Sequence, residues 1–389
     1  MNRPTAAAVF VLLTAAANGI AAGASSHEGP KPMHELETLD PAMAARDAGG
    51  EWLWYDVRDL TIEGKGWSDT EAFFHRLPAR AKGVVTDPVW SLSTHSAGIA
   101  VRFITDSPRI AARWSLTSER LDMPHMPATG VSGLDLYVKD SGQWRWLGCG
   151  RATAYPQNET LLADNIPEGP HEYALYLPLY NGVESVAIGI LPESTVAQAP
   201  ARPAPICFYG TSIVQGGCAS RPGMAYPAIL GRRLDRPVIN LGFSGNGKMD
   251  PELGDLLAEL DAAAYVIDCV PNMTPDMVGE RAEPLVTALR NAHPGTPIVL
   301  VENIAYQAGA FLPSTRERYE SKNRVLRDVH DRLIAAGLTN LHYVPGEPLL
   351  GSDGDATVDG THPTDLGFHR IADALEPVLR RALGKKEGQ

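Results

Sequence analysis

The sequence is poor in the features that mark redox proteins, metalloenzymes and nucleic-acid binders. Only four cysteines (Cys149, Cys207, Cys218 and Cys269) stand among 389 residues. No two of them are spaced as Cys-x-x-Cys, so a redox dithiol has no support. There is no His-Glu-x-x-His, and no other run of His, Cys, Asp or Glu has the spacing of a metal shell. Neither a metal nor another cofactor is expected. The 34 lysines and arginines are outnumbered by 46 acidic residues, giving a formal charge of −12. They gather into no basic stripe, which argues against nucleic acid as a partner.

Apolar runs long enough to cross a bilayer are also missing. The stretch Ala6–Ala17 is too short; it follows Arg3 and precedes Ala22-Gly23-Ala24. These are the parts of a secretory leader, so residues 1–24 are expected to be cleaved from a periplasmic or secreted protein without a membrane anchor. Export permits disulfides. Cys207 and Cys269, however, lie in apolar runs, where a free thiol serves as a small hydrophobe, and mostly unpaired thiols are expected. No internal repeat is present.

What is there divides in two. Residues 192–206, "PESTVAQAPARPAPI", are rich in proline and alanine and lack periodicity; residues 193–205 read as a linker. Before it, over residues 50–192, segments such as "AGIAVRFITDS", "RIAARWSLTS" and "GLDLYVKDSGQWRWLG" alternate apolar with polar residues between short turn signals. That pattern predicts an antiparallel β-sandwich, jelly-roll-like in its many short strands. After the linker, over residues 206–384, apolar runs at 206–209, 237–243, 264–270, 297–304 and 341–344 alternate with helical stretches at 224–234, 251–260, 277–292, 318–336 and 365–383. Thr364 is placed to cap the last helix. Five such units predict an α/β, flavodoxin-like, doubly wound parallel sheet, whose ligands bind beyond the carboxyl ends of the strands.

The polar residues at those strand ends suit acyl transfer. The first strand ends at Gly210-Thr211-Ser212, the second in "NLGFSGNG" (240–247), the third at Asn272 in "CVPN", and Asp359 precedes His362 by three residues in "DGTHPTDLGF". A serine hydroxyl becomes nucleophilic when a histidine takes its proton and a carboxylate fixes that histidine. Amides of Ser212 and Gly245 and the side chain of Asn272 can meet the oxyanion. Taken singly, each has a plain reading: a turn serine, an Asx-turn, a positive-φ glycine, a capping asparagine. Their joint order at successive strand ends favours the chemical one.

These residues resemble the four blocks of the SGNH (GDSL-type) hydrolases, one letter each from Ser212, Gly245, Asn272 and His362, with Asp359 in the Asp-x-x-His block. The likeness spans residues 206–384. It departs in Gly-Thr-Ser for Gly-Asp-Ser, and in "VPNM" around Asn272. A subgroup is similar in "GTSIVQGG" and "PNM", and carries an upstream β-domain marked Gly-x-Asp-Leu-Tyr, matched here by "GLDLY" at Gly133–Tyr137. The resemblance implies a Ser212–His362–Asp359 esterase that needs no cofactor. With export and the β-domain it implies deacetylation of a glycan; the other readings are a periplasmic short-chain carboxylesterase or lysophospholipase, or a carbohydrate-binding protein with an inactive hydrolase domain.

Other residues are weighed against plainer roles. Arg221 is a candidate for holding a substrate carboxylate or hydroxyl, or else forms a structural ion pair. Glu302 reads as a site neighbour or a carboxylate bonded to loop amides, and His369 as solvent-exposed. Trp90, Trp114, Trp144 and Trp146 suit sugar stacking, but alternating tryptophans in strands are more often core. The irregular stretch 120–133, "RLDMPHMPATGVSG", is expected to wall the cleft.

Overall fold

The structure is a computed structural model that describes residues 36–384; the leader expected at 1–24 lies outside them. The first part of the chain forms strands Ala45–Arg46 (β1), Leu53–Asp56 (β2), Thr61–Glu63 (β3), Ala100–Thr105 (β4), Ile110–Leu116 (β5), Leu134–Asp140 (β6), Gln143–Gly150 (β7), Gln157–Ala163 (β8), His171–Tyr176 (β9), Val183–Ile190 (β10) and Val196–Gln198 (β11). Two short helices, Asp87–Ser93 (α1) and Ala128–Val131 (α2), interrupt them. The strands make two antiparallel sheets, ordered β1-β2-β10-β5-β8 and β11-β4-β9-β6-β7, with β3 added to β4. Alternate residues turn inward, as the pleat requires. Ile110, Ala112, Trp114 and Leu116 of one sheet meet Val101, Phe103, Leu134 and Leu136 of the other in one buried core.

The second part gives strands Ile206–Gly210 (β12), Val238–Gly242 (β13), Ala264–Asp268 (β14), Ile298–Val301 (β15) and Leu341–Val344 (β16). Between them run helices Ser212–Gln215 (α3), Tyr226–Leu234 (α4), Pro251–Leu257 (α5), Pro275–Ala292 (α6), Pro313–Ala335 (α7) and Asp365–Ala382 (α8). All neighbouring strands are parallel, in the order β13-β12-β14-β15-β16. Both faces are covered, so β12 to β15 are buried throughout and mostly apolar, with Asn240 and Asp268 the buried polar exceptions. Tyr209, Leu241 and Ile267 point to the side of α5, α6 and α7, and Phe208, Val266 and Val299 to the side of α4 and α8. The register sets Gly210 level with Gly242 and Asp268, and the loops that follow share one rim.

Two features depart from the division drawn from sequence. The proline-rich stretch at 193–205 is built into the first unit: β11 pairs with β4, and Arg202 pairs with Glu63 and with Asp235 of the second unit. Prolines had hidden a three-residue edge strand. The excursion between β3 and β4 also leaves the sandwich. Its Trp67, Leu77, Val85 and Val89 are buried with Ile239, Leu241 and Leu256 of the α/β unit. All four cysteines are unpaired, and Cys207, Cys218 and Cys269 are buried. Among the described residues no helix is long and apolar enough to cross a membrane.

Candidate active site

Ser212 sits where β12 gives way to α3. Thr211 caps that short helix, its hydroxyl accepting from the Ile213 amide at 3.2 Å, so the chain turns sharply and Ser212 stands at the strand's end. The loop ahead of α8 is a narrow turn closed by Val358 N donating to His362 O (2.8 Å) and Thr364 N to Ala356 O (2.9 Å). Thr364 caps α8, as its position predicts. Within this turn Asp359 accepts at Oδ1 from the amides of Thr361 (3.0 Å) and His362 (2.8 Å). Its Oδ2 lies 2.7 Å from His362 Nδ1, and His362 Nε2 lies 3.0 Å from Ser212 Oγ. The Asx-turn and the histidine-orienting carboxylate are thus one and the same group. Burial would raise the Asp359 pKa, but the bonds from the His362 amide and ring and the Thr361 amide outweigh it and hold the carboxyl at about 2. An ionised Asp359 fixes the proton on Nδ1 and leaves Nε2 to accept from the serine.

The loop after β13 lies against the end of β12, Phe243 N donating to Gly210 O at 2.9 Å. A side chain at Gly247 would meet Gly210 O at 2.0 Å, so only glycine allows the two backbones this close. Gly245 takes φ +72°, with open space where a side chain would project. Asn272 ends a short turn opened by Pro271, and Lys322 donates to Pro271 O at 3.2 Å. Gly247 N donates to Asn272 Oδ1 at 3.3 Å, which settles the amide's orientation: Nδ2 is left without a protein acceptor among the described residues. The amides of Ser212 and Gly245 likewise donate to no protein group there. Unengaged donors on the rim that carries a serine–histidine pair are the groups that the stabilising of a tetrahedral oxyanion calls for.

A model of the GDSL-like lipase/acylhydrolase family matches residues 203–380. A second, for the GxDLY N-terminus of SGNH-hydrolase-type esterases, matches residues 52–196. A crystal structure described as a GDSL-like lipase from Bacteroides ovatus is 36% identical, with a TM-score of 0.81, covering 86% of this chain and 98% of that one. The chain belongs to the GDSL-like lipase/acylhydrolase family. More distant structures share the fold. A salicylyl-acyltransferase from a tetracycline biosynthetic pathway is 20% identical (TM-score 0.67; 84% of this chain, 94% of that one). An acetyl xylan esterase from Butyrivibrio proteoclasticus is 13% identical (TM-score 0.53; 86% and 99%). No curated protein matches the chain.

In this GDSL-type hydrolase the upstream unit reaches the site directly. Tyr180 donates to Ser212 O at 3.3 Å. Gln215, wholly buried, donates to His95 Nδ1 (3.2 Å) and Leu179 O (3.0 Å) and accepts from Ser244 N (3.0 Å), tying the serine's helix to the β13 loop and to the sandwich. Arg76, also wholly buried, donates to Asn240 O and Gly242 O (3.0 and 2.8 Å) at the end of β13; burial lowers its pKa to about 9. The stretch 120–133 does border the site: the rings of His125 and His362 stand 5.5 Å apart, and Thr129 Oγ1 donates to Ser220 O at 2.5 Å. Sequence spacing gives no hint of Tyr180, His95 or Arg76, because their partners lie far along the chain. A cue was available for Gln215, which follows the serine by three residues within "GTSIVQGG".

Arg221 requires a correction as a substrate-holding candidate. Its guanidinium donates to Asp135 Oδ2 (2.8 Å) and Tyr137 Oη (2.5 Å) and lies over the Trp146 ring. Asp135 also accepts from the amide of Gly223 (2.8 Å) and from Trp146 Nε1 (2.8 Å). The Asp and Tyr of "GLDLY" are therefore the socket into which the loop after the serine docks. Glu302 takes the plainer role, accepting from Gly346 N (2.7 Å) and Tyr343 Oη (2.6 Å). Trp114 is core, donating to Ser132 O, Trp90 packs against the α/β core, Trp144 against a small cluster at the foot of β6 and β9, and His369 is exposed beside Arg233.

Proposed function

We propose that the protein is an exported serine esterase that releases short acyl groups, acetyl foremost, from carbohydrate. The observation that carries this reading is the Ser212–His362–Asp359 chain of hydrogen bonds, 3.0 and 2.7 Å long. Ser212 Oγ attacks the ester carbonyl while its proton passes to His362 Nε2, and Asp359 stabilises the imidazolium. The amides of Ser212 and Gly245 and the Asn272 Nδ2 donate to the oxyanion. The intermediate collapses to an acyl-enzyme, and the sugar hydroxyl leaves with the proton from His362. Water, deprotonated by the same nitrogen, then releases the acid and restores the serine. The shared fold of the acetyl xylan esterase supports a glycan substrate, as does the site's position against the sandwich.

A second reading, a short-chain carboxylesterase or lysophospholipase, draws on exposed apolar residues of the loops after β15 and β16: Phe311 (88% exposed), Leu312 and Val358. Initial rates decide between them. Acetate release from acetylated xylan and other acetylated glycans is measured beside hydrolysis of p-nitrophenyl esters of rising chain length and of a lysophospholipid. The glycan reading expects the highest kcat/KM on an acetylated glycan and a steep fall beyond the shortest acyl chains. A maximum on longer chains or on the lysophospholipid overturns it.

A further inference from the structure

We propose that the mouth of the site also binds a borderline-soft divalent cation such as zinc, held by His125, Cys218 and His362, and that its binding silences the esterase. The ligand atoms of these three residues all lie within 4.8 Å of one another. They arrive from separate parts of the fold: His125 from the sandwich loop before α2, Cys218 from the glycine-rich loop after α3, His362 from the turn before α8. A tetrahedral zinc with Zn–S about 2.3 Å and Zn–N about 2.0–2.1 Å sets neighbouring donors roughly 3.3–3.6 Å apart, so the set closes with about 1 Å of movement. His125 is exposed, and its side chain is free to supply that movement. Two imidazoles and one thiolate with an open fourth position suit zinc better than a hard cation.

Two further observations favour a built site over a chance meeting. Cys218 is buried yet holds φ +74°, a left-handed conformation that is costly for any residue with a side chain, and such outliers persist where something else requires them. Gly216, two residues earlier, holds φ +107°, so a thiol at a second left-handed position of the same loop is notable. His362 also carries the outer partner typical of a metal-bound histidine, a carboxylate on its other nitrogen, in Asp359. With Nδ1 so engaged, Nε2 faces the ion. Either nitrogen that a metal takes is one the triad uses, because Nδ1 bonds Asp359 and Nε2 bonds Ser212. Binding converts the Cys218 thiol to a thiolate and releases its proton to solvent.

The binding half of the proposal is independent of the esterase reading, and the silencing half rests on it. Binding is read by titrating the full-length protein, native and Ser212→Ala, with cobalt(II) and recording the thiolate-to-cobalt charge-transfer absorption. The band is expected in both and lost in Cys218→Ala. Silencing is read by adding zinc chloride to p-nitrophenyl acetate hydrolysis, with reversal by a chelator and each variant compared with its own metal-free rate. His125→Ala and Cys218→Ala are each expected to raise the half-inhibitory zinc concentration more than about tenfold, since outer partners of a metal site alone are worth about 10–100-fold. No band in the native protein, a band that survives Cys218→Ala, or variants as sensitive to zinc as the native protein overturns the site. A Cys218-dependent band in a protein with no hydrolysis to suppress supports the site and removes the esterase reading instead.

Discussion

The site has two sides, and they are built differently. One side, Ser212, Gly245, Asn272 and His362, stands on loops at the carboxyl ends of strands in a single parallel sheet, level with one another because Gly210, Gly242 and Asp268 share a register. The other comes from connections of the sandwich: Tyr180, His95 and Arg76 reach the first through polar bonds, and His125 through a ring contact with His362. Reactive groups stand on the element whose position is fixed by its own ladder of hydrogen bonds. The flank depends on docking, and the docking is expensive to lose. A chain starting near Ala204 would lack Trp67, Leu77, Val85 and Val89, and would leave Ile239, Leu241 and Leu256 uncovered. The two units are two architectures sharing one set of cores.

The sharpest break falls on the sheet side. Ser212→Ala should fold normally and lose about six orders of magnitude in kcat, as when a triad serine is removed. A folded variant that retains a few per cent of native turnover would exclude Ser212 as nucleophile. Asn272→Ala tests the oxyanion donor. Its Oδ1 bonds Gly247, so Nδ2 is the atom at stake, and kcat should fall roughly a hundred- to a thousandfold with KM little changed. A loss below about fivefold would assign the hole to other groups.

The same contrast decides what could be read from the sequence. The parallel sheet was legible because both faces of each strand are buried: five short apolar runs, each followed by a helical period, leave little else to be. The hydrogen-bonded chain Ser212–His362–Asp359 was legible because each member stands beside a strand end or helix cap, and Asp359 and His362 are three residues apart. The flank was not. Arg76 meets Asn240 and Gly242 across more than 160 residues, and nothing local marks an arginine whose partners are backbone carbonyls. Arg221 misled for a related reason. A cation on a glycine-rich loop just after a nucleophile looks aimed at substrate, while its partners, Asp135 and Tyr137, lie 86 and 84 residues earlier. The linker hid β11 because three strand residues between prolines carry no period.

Docking itself is tested by Arg221→Met. The exchange keeps an unbranched apolar stem but strands Asp135, whose side chain is wholly buried. Burial already raises the Asp135 pKa against the opposing influence of Arg221, so the carboxylate has no good alternative. Breaking one partner of a buried pair costs about 3–5 kcal/mol. The midpoint of urea denaturation should fall accordingly, and kcat/KM should drop because the loop carrying Gly216–Arg221 adjoins Ser212. Unchanged stability would mean that Gly223 N and Trp146 Nε1 suffice to hold Asp135.

The smallest effect is on pH. His95 is partly buried, bonded to Gln215, beside the Tyr180 ring and accepting at its carbonyl from Arg76, and desolvation, with the Arg76 cation second, lowers its pKa from 6.5 to about 4. Between those values the unfolded chain binds a proton that the native state refuses, so this group's contribution to stability declines as pH falls from 6.5 toward 4 and is constant outside that window. Asp268 acts in the opposite sense. Burial, against the hydrogen bond from Tyr226, raises its pKa from 3.8 to about 7, so the native state binds the extra proton there and gains stability as pH falls through an overlapping range. Asp359, held at about 2, loses its contribution only below 3.8. The native slope is therefore a near-cancellation, and the informative quantity is its difference from His95→Gln, which keeps an acceptor for Gln215 and removes the titration. Over pH 7 to 4 the native protein should lose up to about 3 kcal/mol relative to the variant, by urea denaturation at each pH. Parallel stability curves would show that His95 takes up its proton in the folded state as readily as in the unfolded chain, and that the flank is wetter than its packing implies.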